Sequence, residues 1–355
     1  MTLPALRQEW PKPSHPKPIV IIGTGGIVKD SHLPAYRKAG FQVAGLFDIE
    51  RPRAEALARE WGVPRVFATL EEAIGEPGVV FDIAAPPNAH LSLLNALPAK
   101  SAVLIQKPMG MNLDEATATL RLCRERALEA CVNFQLRFSP MMLAVRDAIA
   151  RGLLGRLIDV EVHLNLVTPW RLFPHLKTNK RVEIVSHSIH YLDLIQSLLG
   201  LPESVFARTF GHPSSDLADT RTTAILDYGG DLRVALSINH HHDFGRRFQD
   251  ATFRFEGDEG VAVVKLGLLL DYPKGEPDEL WIGRKGETPE QVPLVGRWFP
   301  DAFIGVMGNL QRYVQGEDAI LETSVESAWR TMALVEACYA SGSIAGAPVA
   351  DSPPA

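Results

Sequence analysis

Cysteine is scarce: Cys123, Cys131 and Cys338 are the only three in 355 residues, and none sits in a CxxC pair. So few and so scattered, they exclude a disulfide framework or a zinc knuckle and point to a reducing compartment. A basic excess is also missing, since 36 Lys+Arg face 42 Asp+Glu for a formal charge of −6. Without a basic field, nucleic acid is not an expected partner. No run approaches the ~18 apolar residues of a membrane span, and the opening MTLPALRQEWPKPSHPKP has no apolar stretch of the secretory kind. The expectation is a soluble, cytoplasmic protein with no membrane partner. What is present is ample apolar material, 46% of residues, in a chain long enough for two domains at about 150 residues each.

Pro4, Pro11, Pro13, Pro16 and Pro18 keep the first residues out of helix and central strand, so 1–17 reads as an extended arm. From there short apolar runs (PIVIIG, QVAGLFD, VVFDIAAP, AVLIQKP, ACVNFQL) alternate with amphipathic stretches of crossover-helix length. This predicts a doubly wound α/β domain over 18–138, with a parallel sheet covered on both faces. After Pro140 the rhythm changes to helices and strand-like runs such as TTAILDYG and LRVALSIN, joined by turn residues. Those predict an α+β domain over 139–355 with a large open, mainly antiparallel sheet, serving substrate binding and oligomerisation. Apolar residues at successive strand positions predict an apolar outer face and a homo-oligomer, dimer or tetramer.

Gly23-Thr24-Gly25-Gly26-Ile27 directly follows the first strand and opens a helical segment. In that context Gly23 permits a tight turn, Gly25 lets the backbone approach a pyrophosphate, and the helix-start N–H groups hold its charge, as in a Rossmann domain. Val28 occupies the third glycine position. Asp48, 25 residues after Gly23, ends the second strand, where a carboxylate can accept both ribose hydroxyls of NAD and repel a 2′-phosphate. Arg51 and Arg53 partly offset that repulsion, so NAD is the expected cofactor and NADP is not excluded. Two further strand ends, Ala85-Pro86-Pro87-Asn88-Ala89-His90 and Gln106-Lys107-Pro108, point into the same crevice. They add Ala85, Pro86, Pro87, Asn88, His90, Gln106 and Lys107 to the expected cofactor contacts, with Lys107 aimed at the nicotinamide position and expected to be catalytic.

From Glu183 to Gly200, Ile184, Val185, Ile189, Leu192, Ile195 and Leu199 form an apolar helix face, while Glu183, Ser186, His187, His190, Asp193 and Ser197 form a polar one. That stripe holds no Lys or Arg and is flanked by apolar residues, so it reads as buried and in need of partners. His190 is the expected general base, since imidazole near its ordinary pKa accepts an alcohol proton at neutral pH. Glu183, His187 and His190 also have metal-ligand spacing, but a fourth group is lacking and His240-His241-His242 alternates in direction as a strand, so no metal site is assigned. That histidine run reads as a strand end or loop facing solvent.

The glycine loop, HLPAY from His32, APPNAH, QKP and HYLDLIQSLLG from His190 together resemble the glucose–fructose oxidoreductase / inositol dehydrogenase (Gfo/Idh/MocA) family, over nearly the whole chain from Pro18. The resemblance implies an NAD(P)-dependent oxidoreductase moving hydride between the C–OH of a sugar, polyol or sugar derivative and nicotinamide. It also implies that His190 is the base and that Lys107 orients the hydroxyl. Gln106 stands where the family usually has glutamate, and Ser186 where it has aspartate. Candidate substrate contacts are Arg137, Trp170, Arg171, His175, Ser186 and His187. Two other functions stay open: a regulator that senses dinucleotide or sugar without turnover, and a reaction run through transiently reduced, tightly bound NAD.

Overall fold

The computed structural model describes residues 3–344, apart from the side chain of His175. Five strands, β1 (Ile19–Ile22), β2 (Val43–Phe47), β3 (Val80–Ile83), β4 (Ala102–Ile105) and β5 (Glu129–Val132), form one parallel sheet in the order β2-β1-β3-β4-β5. Helices α1 (Leu33–Ala39), α2 (Arg51–Trp61), α3 (Leu70–Ile74), α4 (Pro87–Ala96) and α5 (Leu113–Glu125) lie between successive strands. Every residue of β1, β3 and β4 is buried, which is why these strands read as unbroken apolar runs. Strand order reverses between β1 and β3, and a crevice at the carboxyl ends of those strands is where such sheets take ligands.

The chain continues through α6 (Pro140–Ala150), β6 (Leu157–Asn165) and α7 (Ile189–Leu199), then β7 (Ser204–Phe210), β8 (Arg221–Asp227), β9 (Arg233–Asn239), β10 (Asp250–Gly257), β11 (Gly260–Lys265), β12 (Glu279–Arg284) and β13 (Glu290–Gln291). It closes on α8 (Asp301–Val314) and α9 (Val325–Gly342). β6 to β13 make an eight-stranded sheet, antiparallel except where β6 runs parallel to β9. One face, with Val160, Val162, Leu236 and Phe253, shares a core with Ile189, Leu192 and Ile195 of α7. The successive apolar positions resolve into alternation: β8 buries Thr222, Ala224 and Leu226 and turns Thr223 and Ile225 outward. The outer face is accordingly mixed, with Ile225 and Trp281 among ion pairs such as Arg233–Asp159 and Lys265–Glu279.

Although α8 follows the second sheet in sequence, it packs on the first. Its Phe303, Val306, Met307 and Leu310 join Ile19, Ile21, Tyr36 and Leu104 in one core. The arm is extended and lies on its own chain: Trp10 sits edge-on to Phe138 at 5.2 Å and donates from Nε1 to Asp318 at 2.8 Å. Gln8 exchanges hydrogen bonds with the backbone at Pro293 and Val295, and the Lys12 ammonium donates to Ala39 O.

Candidate active site

The glycine loop turns where the sequence places it. Gly23 has φ +99°, and a Cβ there would stand 2.6 Å from Ala84 O, so the turn at the end of β1 can lie against the end of β3 only with glycine. A Cβ at Gly25 would meet nothing within 4 Å, which leaves that backbone facing open space on the side a pyrophosphate needs. Val28, in the third glycine position, is fully buried, and the helix begins there with a wide π-type turn, Val28–His32. Beneath it the Asp82 carboxylate on β3 accepts from Tyr36 Oη at 2.7 Å and lies 2.7 Å from His32 Nδ1, tying α1 to the sheet.

Asp48 follows β2 and is already engaged. Its Oδ2 accepts from both N and Oγ1 of Thr24 at 2.6 Å, its Oδ1 accepts from Glu50 N at 2.8 Å, and Arg53 donates to both oxygens at 2.7 and 2.9 Å. Burial pushes this carboxyl up, but the hydrogen bonds from Thr24, Glu50 and Arg53 outweigh it and hold its pKa below the ordinary value. These residues fit a dinucleotide: an open glycine cradle, and beyond it a fixed anion with a half-exposed arginine at its side.

At the end of β3, Pro86 and Asn88 are exposed. His90 corrects the expectation of a cofactor contact. It is buried, its Nε2 pairs with Ala85 O at 2.9 Å, and burial lowers its pKa to about 4, so it braces the loop from beneath as a neutral ring. At the end of β4 the Lys107–Pro108 peptide is cis, and Gln106 Oε1 accepts from Lys107 N at 2.8 Å.

Lys107 crosses from the first sheet to the second unit, where its Nζ donates to Ser186 O at 2.7 Å. Ser186 belongs to a π-type turn, Ile184–Ser188, that leads into α7. Burial lowers Lys107 to about 8. It also drives His187 and His190 well below the ordinary imidazole value, and the Lys107 charge pushes both further down. His190 lies edge-on to Phe134 at 6.2 Å and to Trp298 at 6.1 Å, and the Nδ1 atoms of His187 and His190 are enclosed without a hydrogen-bond partner. Lys107 thus reaches the turn that carries His187 and leads to His190, close enough for its charge to act on both rings.

His240 joins this cluster, although nothing about its place in the chain signals it. It is 1% exposed, not solvent-facing, and its ring lies 4.7 Å from His187. Its Nε2 is 3.4 Å from Glu183 Oε1 and its Nδ1 is 2.8 Å from Thr168 Oγ1. The fully buried Glu183 carboxylate accepts from the Ser188 and Thr222 hydroxyls, one on each oxygen, and so is committed inside the protein. Among the described residues no three His, Cys, Asp or Glu side chains are grouped to hold a metal. Trp170 lies edge-on to His187 at 5.1 Å and donates from Nε1 to His240 O at 3.2 Å, which places it beside the two histidines. Arg171 beside it is exposed, and the side chain of His175 lies outside the described residues.

Arg137 leaves the list of substrate contacts. It is 4% exposed and paired bidentately with Asp193 at 2.6 Å, with further bonds to Glu322 O, Gln196 and Ser327. A guanidinium with its donors committed inside the protein is not free to bind a ligand.

Comparison with known proteins identifies both domains. The pattern of an oxidoreductase family with an NAD-binding Rossmann fold matches residues 17–134, and that of a GFO/IDH/MocA C-terminal domain matches residues 142–263. The chain is 25% identical to the 1,5-anhydro-D-fructose reductase of Ensifer adhaerens over 77% of its length and 82% of the relative's. It is 24% identical to the D-apiose dehydrogenase of Paraburkholderia graminis over 89% and 85%. Among solved structures, an oxidoreductase of Agrobacterium radiobacter in complex with NAD+, L-tartaric acid and magnesium superposes with a TM-score of 0.76 at 20% identity, covering 92% of this chain and 96% of that one. The glycine cradle, the strand-end lysine and the two matched domains make this chain a member of the GFO/IDH/MocA family of oxidoreductases.

Proposed function

We propose that the protein oxidises the C–OH of a sugar, polyol or sugar derivative with NAD as hydride acceptor, and that Lys107 and His190 handle the hydroxyl proton. The observation that carries this reading is the Lys107–Ser186 hydrogen bond, which brings the end of β4 to the start of α7 and so unites lysine and imidazoles across two units. Relatives named as sugar dehydrogenases support the class of substrate.

Bound dinucleotide supplies the hydride acceptor; the glycine loop, Asp48 and the loop from Ala85 would hold it. The chain's own groups do the rest. Lys107 donates to the substrate oxygen and fixes its orientation, and His190, uncharged in its enclosed setting, takes the proton as the carbon becomes a carbonyl. The products are one carbonyl, one reduced nicotinamide and one proton, which leaves through the imidazole. Incubation with NAD+ and a panel of neutral sugars, polyols and sugar acids tests the reading by the near-ultraviolet absorbance of reduced nicotinamide. Reduction with at least one of them is expected, and none with any would contradict it.

Asp48 predicts tighter binding of NADH than of NADPH, because ribose hydroxyls can take the place of the half-exposed Arg53 on its carboxylate, whereas a 2′-phosphate meets that carboxylate unfavourably. Asp48→Ala narrows the difference by about 1–3 kcal/mol, on the order of a charge-assisted hydrogen-bond pair. Equal or tighter NADPH binding by the unmodified protein sinks this preference; the Arg53–Asp48 pair is the contact that would cause it.

We also propose that copies associate through the outer face of the eight-stranded sheet, where Phe206, Ile225 and Trp281 stay exposed in one chain. Sedimentation is expected to give a multiple of 39.0 kDa. A single-chain mass at micromolar concentration would contradict it.

A further inference from the structure

The surroundings of Lys107 are short of negative charge. Its ammonium carries three donors, and one goes to the Ser186 carbonyl. The residue before it, Gln106, and the residue whose carbonyl it meets, Ser186, are both uncharged, and the side chains gathered around it, His187 and His190, are imidazoles that its charge disfavours protonating. Glu183, the carboxylate of the same segment, is committed to Ser188 and Thr222 and faces His240. Burial alone accounts for the lowered basicity of Lys107, with no acid opposing it. A half-buried ammonium without a carboxylate lacks its natural partner, and the enclosed Nδ1 atoms of His187 and His190 have no partner either. Arg171, next to Trp170, adds an exposed cation whose side chain makes no hydrogen bond or ion pair among the described residues.

We propose that the substrate brings the missing charge, as an aldonate-type sugar acid whose carboxylate sits on the carbon beside the reacting C–OH. This rests on the dehydrogenase reading above. The two free donors of Lys107 match such a molecule: one N–H meets the hydroxyl that is oxidised, the other the adjacent carboxylate, and His187 flanks the same anion. A neutral alditol of the same length fills the hydroxyl contact but leaves one donor and the ammonium charge unanswered. In a site of this enclosure that difference is worth about 10²-fold in kcat/KM.

The test compares D-gluconate and D-galactonate with D-glucitol and galactitol, in turnover with NAD+ and in calorimetric binding to the NAD+-loaded protein. Aldonates are expected to exceed the matching alditols by about 10²-fold in kcat/KM, with tighter binding in the same order. Ser186→Asp, which adds a carboxylate on the residue whose carbonyl Lys107 meets, is expected to narrow that ratio toward one, with circular dichroism confirming the fold. Alditols bound and turned over as well as aldonates would overturn the acid assignment while leaving the dehydrogenase reading intact. Selective binding of aldonates without nicotinamide reduction supports the acid site and counts against the dehydrogenase. Binding of neither class overturns the proposal.

Discussion

Lys107→Ala is expected to lower turnover by about 10²- to 10⁴-fold, the range for loss of a positioned proton-handling group, with NAD affinity nearly unchanged. The lysine reaches across the crevice to Ser186 and away from the glycine loop, so its removal disturbs the substrate side of the site. The pH profile carries the same signature. Burial brings Lys107 down to about 8. Below that value the side chain is an ammonium that holds a proton in the site and discourages a second on His190. Above it that charge is lost and His190 takes the substrate proton more readily. Oxidation is therefore expected to speed up as pH rises through about 8, and carbonyl reduction, which needs the proton in place, to slow over the same interval. Lys107→Ala should remove that limb from both profiles. A variant that keeps its activity and its limb would show that another group titrates there.

The largest effect on stability is expected at Arg137. Its guanidinium and the Asp193 carboxylate are both almost fully enclosed, and Thr331 also donates to Asp193 at 2.8 Å, so helices α7 and α9 meet on this one charge pair. Burial pushes the Asp193 carboxyl up, and the arginine opposes that shift. Arg137→Ala strands a carboxylate in the interior and is expected to cost about 3–5 kcal/mol, measured by urea unfolding at fixed dinucleotide concentration. Replacing both partners with apolar residues of similar size should recover much of the loss, because the penalty lies in the unpaired charge. An Arg137→Ala protein of normal stability but raised KM would return this residue to the substrate pocket.

The first sheet was legible because a parallel strand buried on both faces is written as a continuous apolar run, and its helices as amphipathic stretches of fixed length. The glycine turn and the place of Asp48 after β2 were legible for a related reason, since both follow from local spacing along one strand–turn–helix unit. Legibility fails where partners are distant in the chain. Nothing near Arg137 announces Asp193, so an arginine just past a strand reads as available. His240 reads as one of three alternating histidines, and only the pairing of β9 with β6 and the approach of Glu183 turn it inward. The polar stripe is only partly legible for a local reason: a regular 3.6-residue repeat does not hold through Ile184–Ser188, which form a wider turn. The place of α8 also escaped, because chain order put it with the second sheet while its apolar face fits the first.

The central claim is that Lys107 and His190 act on one hydroxyl as one unit, although they come from different halves of the chain. Turnover of Lys107→Ala, His190→Ala and the double variant measures this directly, with dinucleotide affinity followed in each. Strong non-additivity is predicted, with the double variant little slower than the slower single one, because either loss disables the same proton step. Costs that multiply, or a His190→Ala enzyme of full activity with an unchanged pH profile, would contradict it.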